Sequence, residues 1–381
     1  MKIAIVRKDF VFGGGAERYA IQLAGALIAQ GHDVHVFAHR HEAMDGITFH
    51  TVPTTSRISI LKNWTFALNA RRALKDDSFD IVYALSPLYP VDIYRMGDGI
   101  HRHWLTIRKD GFLTRAWNLI SPRHRLLLQL EKKIFSPRNF WKVIANSNLC
   151  KRHAMQYYSV PEHRIEVIYN GIDFDRFNPS VHETGKALRR SLEIPDDDLV
   201  ILFAGMNFSR KGLKPLLEAM GQAKEKHRSR LLVVGKGNIK PYAHLAEDLC
   251  LSRSVTFCGF QKDLEPYYGC ADIFVLPTQY DPCANVCLEA MACGLPVITT
   301  RENGASELIL QEKSGFIMEQ PDDIRALSEW IEILRNREVR NSMGRLAQEQ
   351  VSSLSLHENA LRTIHVCEKV LREKRLGGLR S

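Results

Sequence analysis

The sequence predicts an α/β protein built from two Rossmann-like domains that face each other across a cleft. Short apolar runs alternate with amphipathic stretches of helical periodicity, which is typical of parallel sheets with helical crossovers. The alternation occurs twice within 381 residues, a length that suits two domains. Because parallel sheets bind ligands at the carboxyl ends of their strands, the cleft is the expected site.

The first series of elements opens with an apolar strand at residues 3–6, followed by three glycines and a helix over 16–30. Gly31 ends this helix, and the next strand covers 34–38. A further helix is predicted at about 148–158. The remaining strands of this series are predicted at 80–84, 143–145 and 165–168.

The second series repeats the same alternation, with a helix that begins near Gly212 after its first strand. The weakest patterning lies at 171–197, which contains Pro179 and Pro195, and we predict the linker there. The strands of this series are predicted at 200–204, 231–234, 255–257, 273–276 and 296–299.

These boundaries predict three parts of the chain. Residues 1–170 form the N-terminal domain and residues 171–355 the C-terminal domain. Residues 356–381 form a helical tail that we expect to cross back to the N-terminal domain. The composition agrees with a globular protein, since 45% of residues are apolar and 25% are charged.

Composition also excludes several classes of protein. Collagen, a long disordered tail and a small disulfide scaffold do not fit these proportions. There is no run of 18 apolar residues, so no membrane-spanning helix is expected. The run at 3–6 is too short for the core of a signal peptide, so we expect a cytoplasmic protein. Its eight cysteines would then be reduced thiols.

The glycines Gly13, Gly14 and Gly15 lie between the first strand and the first helix. Glycines allow the backbone to approach a ligand, and a helix N-terminus favours an anion. The spacing is not GxGxxG, and His39-Arg40-His41 stands where a dinucleotide site has an acidic residue. A tight turn without a ligand is the alternative.

Two more segments follow predicted strands of the second domain. Arg210 and Lys211 place two cations at the mouth of the sheet, where they suit a diphosphate. Asp281 lies in a loop that leads to a helix beginning near Asn285, and Glu289 lies one turn into that helix. The backbone N–H groups of such a helix start can hold an anion or a sugar hydroxyl. Solvated charges on the surface are the alternative for both segments.

Residues 281–300 resemble the Glu–x7–Glu segment of glycosyltransferase family 4, whose members have the two-domain GT-B fold. The glycine loop, Arg210-Lys211-Gly212 and Tyr169-Asn170-Gly171-Ile172-Asp173 also match, in order, over nearly the whole chain. The resemblance implies that Arg210 and Lys211 bind the donor diphosphate and that Glu289 binds the ribose. It implies further donor contacts from Asp281, from Gly14 and Gly15, and from the amides of Cys283, Ala284, Asn285 and Val286.

The sequence departs from the family pattern at two positions. Asp281 is one methylene shorter than the usual glutamate, and Ala284 replaces a frequent glycine. The stretch Val91-Asp92-Ile93-Tyr94 with Gly97-Asp98-Gly99 resembles the lipopolysaccharide inner-core glucosyltransferases. That branch implies UDP-glucose as donor and a lipid-linked heptose as acceptor, and the family implies retention of configuration. It also implies that Asp98 is an active-site aspartate, with His101 as a neighbouring candidate or else a surface histidine.

The resemblance to family 4 implies that no metal ion and no cofactor besides the nucleotide-sugar substrate are needed. Asp173-Phe174-Asp175 has the Asp-x-Asp form, but it lies within the family's ordinary linker motif, so we interpret it as structural. Cys283, Cys287 and Cys293 show no CxxC pairing, which argues against zinc.

Residues 101–153 carry twelve Lys and Arg against two acidic residues, a net +10, although the whole chain is only +9. Three of the five tryptophans also lie there. Cations mixed with aromatic residues suit an anionic membrane surface. A nucleic acid would also attract this charge, but no nucleic-acid-binding motif is present, and a solvated face is the third interpretation.

The sequence therefore predicts a hexosyltransferase that acts on a lipid-linked saccharide at the inner face of the cell membrane. A family 4 transferase with another donor or acceptor, or a sugar-nucleotide epimerase, is the enzymatic alternative. A basic nucleic-acid-binding protein is the alternative outside enzymes, and release of UDP together with a glycosylated product would distinguish the three.

Overall fold

The computed structural model describes residues 1–11, 15–54, 59–108 and 121–377. The chain forms two compact units. Unit 1 comprises residues 1–171 together with the C-terminal residues from Leu356, and unit 2 comprises residues 172–355. Each unit is built on a parallel sheet, which confirms the predicted α/β class with two parallel-sheet domains.

Unit 1 contains a seven-stranded parallel sheet and a separate two-stranded ladder. Its strands in chain order are β1 (Lys2–Val6), β2 (Asp9–Phe10), β3 (Asp33–Ala38), β4 (Arg40–His41), β5 (Ile47–Thr51), β6 (Ile81–Ala84), β7 (Ile93–Met96), β8 (Lys142–Ala145) and β9 (Ile165–Val167). The large sheet has the order β5-β3-β1-β6-β7-β8-β9, and β2 pairs with β4. Four of the five β1 residues are buried, because helices cover both faces of a parallel sheet.

Between these strands, the described residues of unit 1 form five helices. They are α1 (Gly15–Ala29), α2 (Ser59–Ala73), α3 (His101–Ile107), α4 (Pro122–Ile134) and α5 (Asn148–Tyr158). Helix α5 agrees with the predicted range, and its N-cap Ser147 accepts a hydrogen bond from the Cys150 amide. Helix α4 is amphipathic, with Leu130 and Ile134 buried.

Unit 2 contains a six-stranded parallel sheet in the order β12-β11-β10-β13-β14-β15. Its strands are β10 (Leu199–Ala204), β11 (Ser229–Val234), β12 (Val255–Gly259), β13 (Ile273–Leu276), β14 (Val297–Thr300) and β15 (Gly315–Met318). Its helices are α6 (Val181–Ser191), α7 (Phe208–Lys211), α8 (Leu213–Gln222), α9 (Lys240–Asp248), α10 (Glu265–Cys270), α11 (Asn285–Ala292), α12 (Ile324–Ile333) and α13 (Arg337–Val351).

The interval 171–197 is not the linker that its weak patterning suggested. Helix α6 occupies its middle and packs on α10, and the two backbones meet at a pair of glycines. A Cβ atom on Gly185 would lie 1.9 Å from the carbonyl carbon of Gly269. Polar, glycine-containing sequence therefore marks a close helix–helix contact here.

The final helix, α14 (Leu356–Arg375), belongs to unit 1 and packs against α1 and β6. Its buried face includes Ile364, Val366 and Val370, which join the cluster formed by Ile3 and Ile5 of β1. Near its end, Lys374 Nζ donates to the backbone carbonyl of Asp80 at 2.6 Å and to a carboxylate oxygen of buried Asp92 at 3.1 Å. Both ends of the chain thus contribute to one core.

In each large sheet, the strands on one side of a central pair are added in one direction along the sheet and the later strands in the opposite direction. In unit 1 the reversal falls between β1 and β6, and in unit 2 between β10 and β13. Connections leave such neighbouring strands in opposite directions, which opens a crevice at their carboxyl ends. The segments that follow these strands are therefore where a ligand site is expected. Across the described residues, no helix is both long and apolar enough to span a membrane.

Candidate donor site at the carboxyl edge of unit 2

Two buried side chains meet at the reversal point of the unit 2 sheet. Lys211 follows β10 and Asp281 follows β13, and each is less than a tenth exposed. The Nζ atom of Lys211 donates a hydrogen bond to Oδ2 of Asp281. The structure thus brings together two residues that the sequence singled out separately, and it pairs the buried cation with a buried anion.

Helix α7 holds Lys211 in this position. It is a single turn, capped at its start by Asn207, whose side chain accepts from the Arg210 amide at 3.3 Å. Gly212 ends the turn with a φ of +83°, and a Cβ atom there would lie 2.0 Å from the Pro277 carbonyl oxygen. Only glycine fits both requirements, so Gly212 fixes the distance between the two loops.

Arg210 ties the same two loops together through its backbone and its side chain. Its carbonyl oxygen accepts from the Gln279 amide at 2.8 Å and from Thr278 Oγ1 at 3.1 Å. Its Nη1 donates to the Tyr280 carbonyl oxygen at 3.3 Å. Arg210, Lys211 and Asp281 therefore form one constellation with two positive charges and one negative charge.

The amides at the start of α11 are already used within the unit. The Cys283 amide donates to Asp281 Oδ1 at 3.3 Å, and the Ala284 amide donates to Asn303 Oδ1 at 3.1 Å. Ala284 has a φ of −70°, which any residue adopts, so this backbone does not require the glycine common in the family. Asn285 and Val286 begin the helix itself, and both are half-buried.

Asn303 is a site residue that the sequence analysis missed. It is fully buried, and its Oδ1 also accepts from the Ala305 amide at 3.1 Å. Its Nδ2 donates to Thr299 Oγ1 at 2.9 Å and to Cys287 Sγ at 3.3 Å. This side chain fixes the loop that carries Asp281, because the Asp281 backbone also pairs with residues 302 and 304.

Glu289 lies on α11 and is half-buried. Its Oε2 atom accepts from the hydroxyl of buried Tyr268 at 2.8 Å, and that hydroxyl lies 3.2 Å from the Val286 carbonyl oxygen. Burial, and then the nearby Glu289 carboxylate, raise the pKa of Tyr268 well above its usual value. Tyr268 therefore remains a hydroxyl donor that orients Glu289.

The cysteines of this segment are buried thiols. Burial raises the pKa of Cys287 to about 12, and it also raises the pKa of Cys293. Both sulfur atoms stay protonated near neutral pH, so they act as packing groups rather than nucleophiles. Asp173 and Asp175 lie in the turn after Ile172, where Asp173 accepts from the amides of residues 176 and 177 through its backbone.

The remaining predicted residues belong to unit 1. Gly14 lies outside the described residues, and Gly15 begins α1. Asp98 is exposed in the turn that follows β7, next to the left-handed Gly99 with a φ of +75°. His101 is the first residue of α3, and its Nε2 lies 2.9 Å from His124 Nδ1. Burial lowers the pKa of His101 to about 4, helped by His124 and nearby arginines.

Two family models match the chain. "Glycosyltransferase Family 4" matches residues 13–176, and "Glycosyl transferases group 1" matches residues 185–350. An uncharacterized glycosyltransferase of Methanocaldococcus jannaschii is 28% identical over 356 residues, which cover 87% of this chain and 90% of the relative.

Two further proteins are similar in sequence or structure. The lipopolysaccharide glucosyltransferase WaaG of Escherichia coli is 25% identical, over 84% of this chain and 86% of its own. A crystal structure of WaaG superposes with a TM-score of 0.83 at 22% identity, covering 96% of this chain and 99% of that one. HepE of Anabaena, in complex with UDP and glucose, has a TM-score of 0.73 at 19% identity, with 97% and 99% covered.

The two family models match the chain one after the other, the first in its N-terminal part and the second in its C-terminal part. One family model lies mostly in unit 1 and the other within unit 2, and the similar structures cover nearly the entire chain. The chain belongs to glycosyltransferase family 4, with the GT-B fold, and is related to the lipopolysaccharide core glucosyltransferases.

Proposed function

We propose that this enzyme is a retaining transferase that moves a hexose, glucose from UDP-glucose, to a lipid-linked saccharide such as the heptose of the lipopolysaccharide inner core. The observation that carries the proposal is the constellation of Arg210, Lys211 and Asp281 at the reversal point of the unit 2 sheet. The similarity to WaaG, a lipopolysaccharide glucosyltransferase, supports the acceptor class, and the UDP and glucose bound to HepE support the donor.

In this proposal the donor diphosphate binds to Arg210 and Lys211. As the bond between the sugar C1 and the diphosphate oxygen breaks, negative charge accumulates on the departing phosphate, and two preorganised cations stabilise it. Asp281 keeps the Lys211 ammonium in place before the donor arrives, and its carboxylate also accepts from a sugar hydroxyl. Glu289 holds the ribose hydroxyls, with Tyr268 fixing its orientation.

The other donor contacts belong to backbone groups. At the start of α11, the amides of Asn285 and Val286 bind the donor sugar and phosphate, while those of Cys283 and Ala284 hold the loop through Asp281 and Asn303. The resemblance to family 4 adds Gly14 and Gly15 as phosphate contacts. In this proposal Asp98 is the active-site aspartate of unit 1. No metal ion takes part, because the charge that a metal would neutralise is met by the arginine and the lysine.

The acceptor lipid brings the enzyme to the cytoplasmic face of the membrane. Helix α4 supports this part of the proposal, since Arg123, Arg125, Lys132 and Lys133 are all exposed on it. An anionic lipid surface attracts such a face with about 1 kcal/mol per basic residue. Lys109, Arg115 and Trp117 of the same basic segment lie outside the described residues.

Thermal-shift measurements with UDP, ADP and GDP, each with and without its sugars, test the donor. A ligand at 100 times its dissociation constant stabilises the protein by about 2.7 kcal/mol. We expect UDP-glucose and UDP to raise the melting temperature, and a larger shift with ADP or GDP would contradict the choice of base. With a lipid-linked heptose acceptor, mass spectrometry should then detect free UDP and a hexosylated product in equal amounts, unaffected by EDTA.

A further inference from the structure

Glu131 is an acidic residue within the basic segment, and the structure gives it specific partners. Its half-buried carboxylate accepts hydrogen bonds from the backbone amide of His101 through Oε1 and from that of Arg102 through Oε2, the latter at 3.1 Å. The hydroxyl of Tyr158 donates to Oε2 at 2.6 Å. One side chain on α4 therefore binds the first turn of α3 and the end of α5.

Helix α3 lacks a cap of its own. Its N-cap residue is Ile100, whose side chain has no oxygen, and α3 carries no acidic residue in its first turn. The first amides of a helix need acceptors, and a negative charge there is favourable. Glu131, thirty positions away from His101 in the sequence, fulfils both needs.

The first turn of helix α3, which Glu131 caps, comes directly after the loop that carries Asp98. Asp98 is exposed, while Met96 before it and Ile100 after it are buried, so the exposed turn is anchored on both sides. On the entry side, Asn146 Nδ2 lies 3.4 Å from the Gly97 carbonyl oxygen. On the exit side, the amide that Glu131 binds is three residues after Asp98.

Helix α4 also contacts the same residue through a second side chain. The ring of His124 stacks against the ring of His101 and lies within hydrogen-bond distance of it. His124 and Glu131 are seven positions apart on α4, two turns of a helix, so they share one face. Together they hold both the backbone and the side chain of His101.

We propose that Glu131 is a positioning residue for the transferase reaction, which fixes the first turn of α3 and through it the orientation of the Asp98 carboxylate. This inference rests on the proposed role of Asp98. The side chain does not contact substrate in this scheme, so its loss should lower the turnover number without weakening donor binding. A displacement of about 1 Å in a catalytic group can reduce turnover by about a hundredfold.

The test compares Glu131→Gln with two matched variants. Gln can accept from only one of the two amides, so we expect kcat to fall about tenfold or more, with the KM for the donor and the UDP-induced thermal shift unchanged. Tyr158→Phe removes the third hydrogen bond to Glu131 and leaves α3 capped, so it should keep nearly full turnover. Glu131→Asp retains the charge and should recover part of the lost activity.

A double-mutant cycle with Asp98→Asn distinguishes this role from a general loss of structure. If Glu131 acts through Asp98, adding Glu131→Gln to Asp98→Asn should cause no further drop in the residual kcat. Additive losses, or a matching decrease in donor binding, would overturn the positioning role. Full activity of Asp98→Asn alone would instead overturn the proposed role of Asp98. Failure of the Glu131 inference and failure of the Asp98 assignment therefore give different results.

Discussion

Lys211 Nζ donates a hydrogen bond to Asp281 Oδ2, joining two buried side chains that are 70 residues apart in the sequence. The two side chains form an ion pair at the carboxyl edge of the unit 2 sheet. A buried ion pair is costly to break on one side only, because the remaining charge loses its partner while staying out of water. Lys211 therefore contributes to the stability of unit 2, and in the proposed function the same side chain binds the donor diphosphate.

Replacing Lys211 with Met should destabilise unit 2 by about 3 kcal/mol, because Asp281 stays buried without its cation. The double variant Lys211→Met with Asp281→Asn should recover much of this loss, while turnover stays at least about a hundredfold below the parent in both. Urea unfolding and a UDP-release assay measure the two effects. A single variant as stable as the double would refute the role of the pair in stability, and unchanged turnover would refute the diphosphate assignment.

Gly212→Ala should destabilise the protein by about 3 kcal/mol, because the new Cβ meets the Pro277 carbonyl and the residue must keep a positive φ. Gly259→Ala is the matched control. Gly259 also has a positive φ, +68°, but nothing lies within 4 Å of its Cβ position. Only the backbone penalty of about 1 kcal/mol applies there. Equal losses in urea unfolding would show that the contact with Pro277 does not matter.

Glu289→Gln should weaken UDP binding by about tenfold to a hundredfold, because a carboxylate bonded to two hydroxyls is replaced by a neutral amide. Tyr268→Phe should weaken it only a few-fold, since Glu289 keeps its charge and loses one orienting contact. Tyr267→Phe, at the neighbouring position, serves as control and should bind UDP like the parent. Isothermal titration of UDP measures all three, and unchanged binding by the Gln variant would remove Glu289 from the donor site.

His101 makes the stability of unit 1 sensitive to acid. Its pKa is lowered to about 4 in the folded protein by burial, then by His124, Arg123 and Arg108, against an ordinary value of 6.5. Between these values the unfolded chain binds the proton more readily, so the contribution is present above pH 6.5 and is lost as the pH falls toward 4. The urea midpoint should therefore fall less between pH 7 and pH 5 in His101→Gln than in the parent. Identical changes would contradict this assignment.

The basic face of α4 should control binding to anionic membranes. Changing Arg123, Arg125, Lys132 and Lys133 to Gln removes four charges, which should weaken binding to phosphatidylglycerol vesicles at low salt by about 4 kcal/mol, or roughly 10³-fold. The control removes four exposed cations of unit 2 instead, Lys214, Lys224, Lys313 and Arg325. Cosedimentation with the vesicles is the measurement. Equal losses in both variants, or equal binding to neutral vesicles, would count against docking through α4.

Most strands were predictable from sequence because parallel strands are buried on both faces and appear as unbroken apolar runs. β7 (Ile93–Met96) escaped prediction because a charged residue lies within it. Arg95 is nevertheless buried, with its guanidinium 3.9 Å from the centre of the Tyr19 ring and 2.7 Å from Asn170 Oδ1. The local sequence pattern does not show whether a charged residue is buried against partners distant in the sequence or lies in an exposed loop.

The candidate site was predictable in part for a related reason. Lys211 and Asp281 each follow an apolar strand, and the rule for parallel sheets places such residues at one edge. Their direct pairing depends on which strands are neighbours, and this is a property of the topology. Asn303 was not predicted as a site residue because its four hydrogen bonds join residues that precede or follow it by up to 19 positions. No local sequence motif identifies a residue with such partners.

Helix α14 follows every other described element in the sequence, yet it completes the core of unit 1 beside β1. Residues 1–355 must therefore leave the ribosome before that core can close, while residues 172–355 form one uninterrupted stretch that is available earlier. During synthesis, unit 2 can finish folding while unit 1 still exposes the apolar surface that α14 will cover. A nascent chain stalled before Leu356 should thus bind chaperones through its N-terminal half. A product truncated at that point should lose the folded structure of unit 1 before that of unit 2.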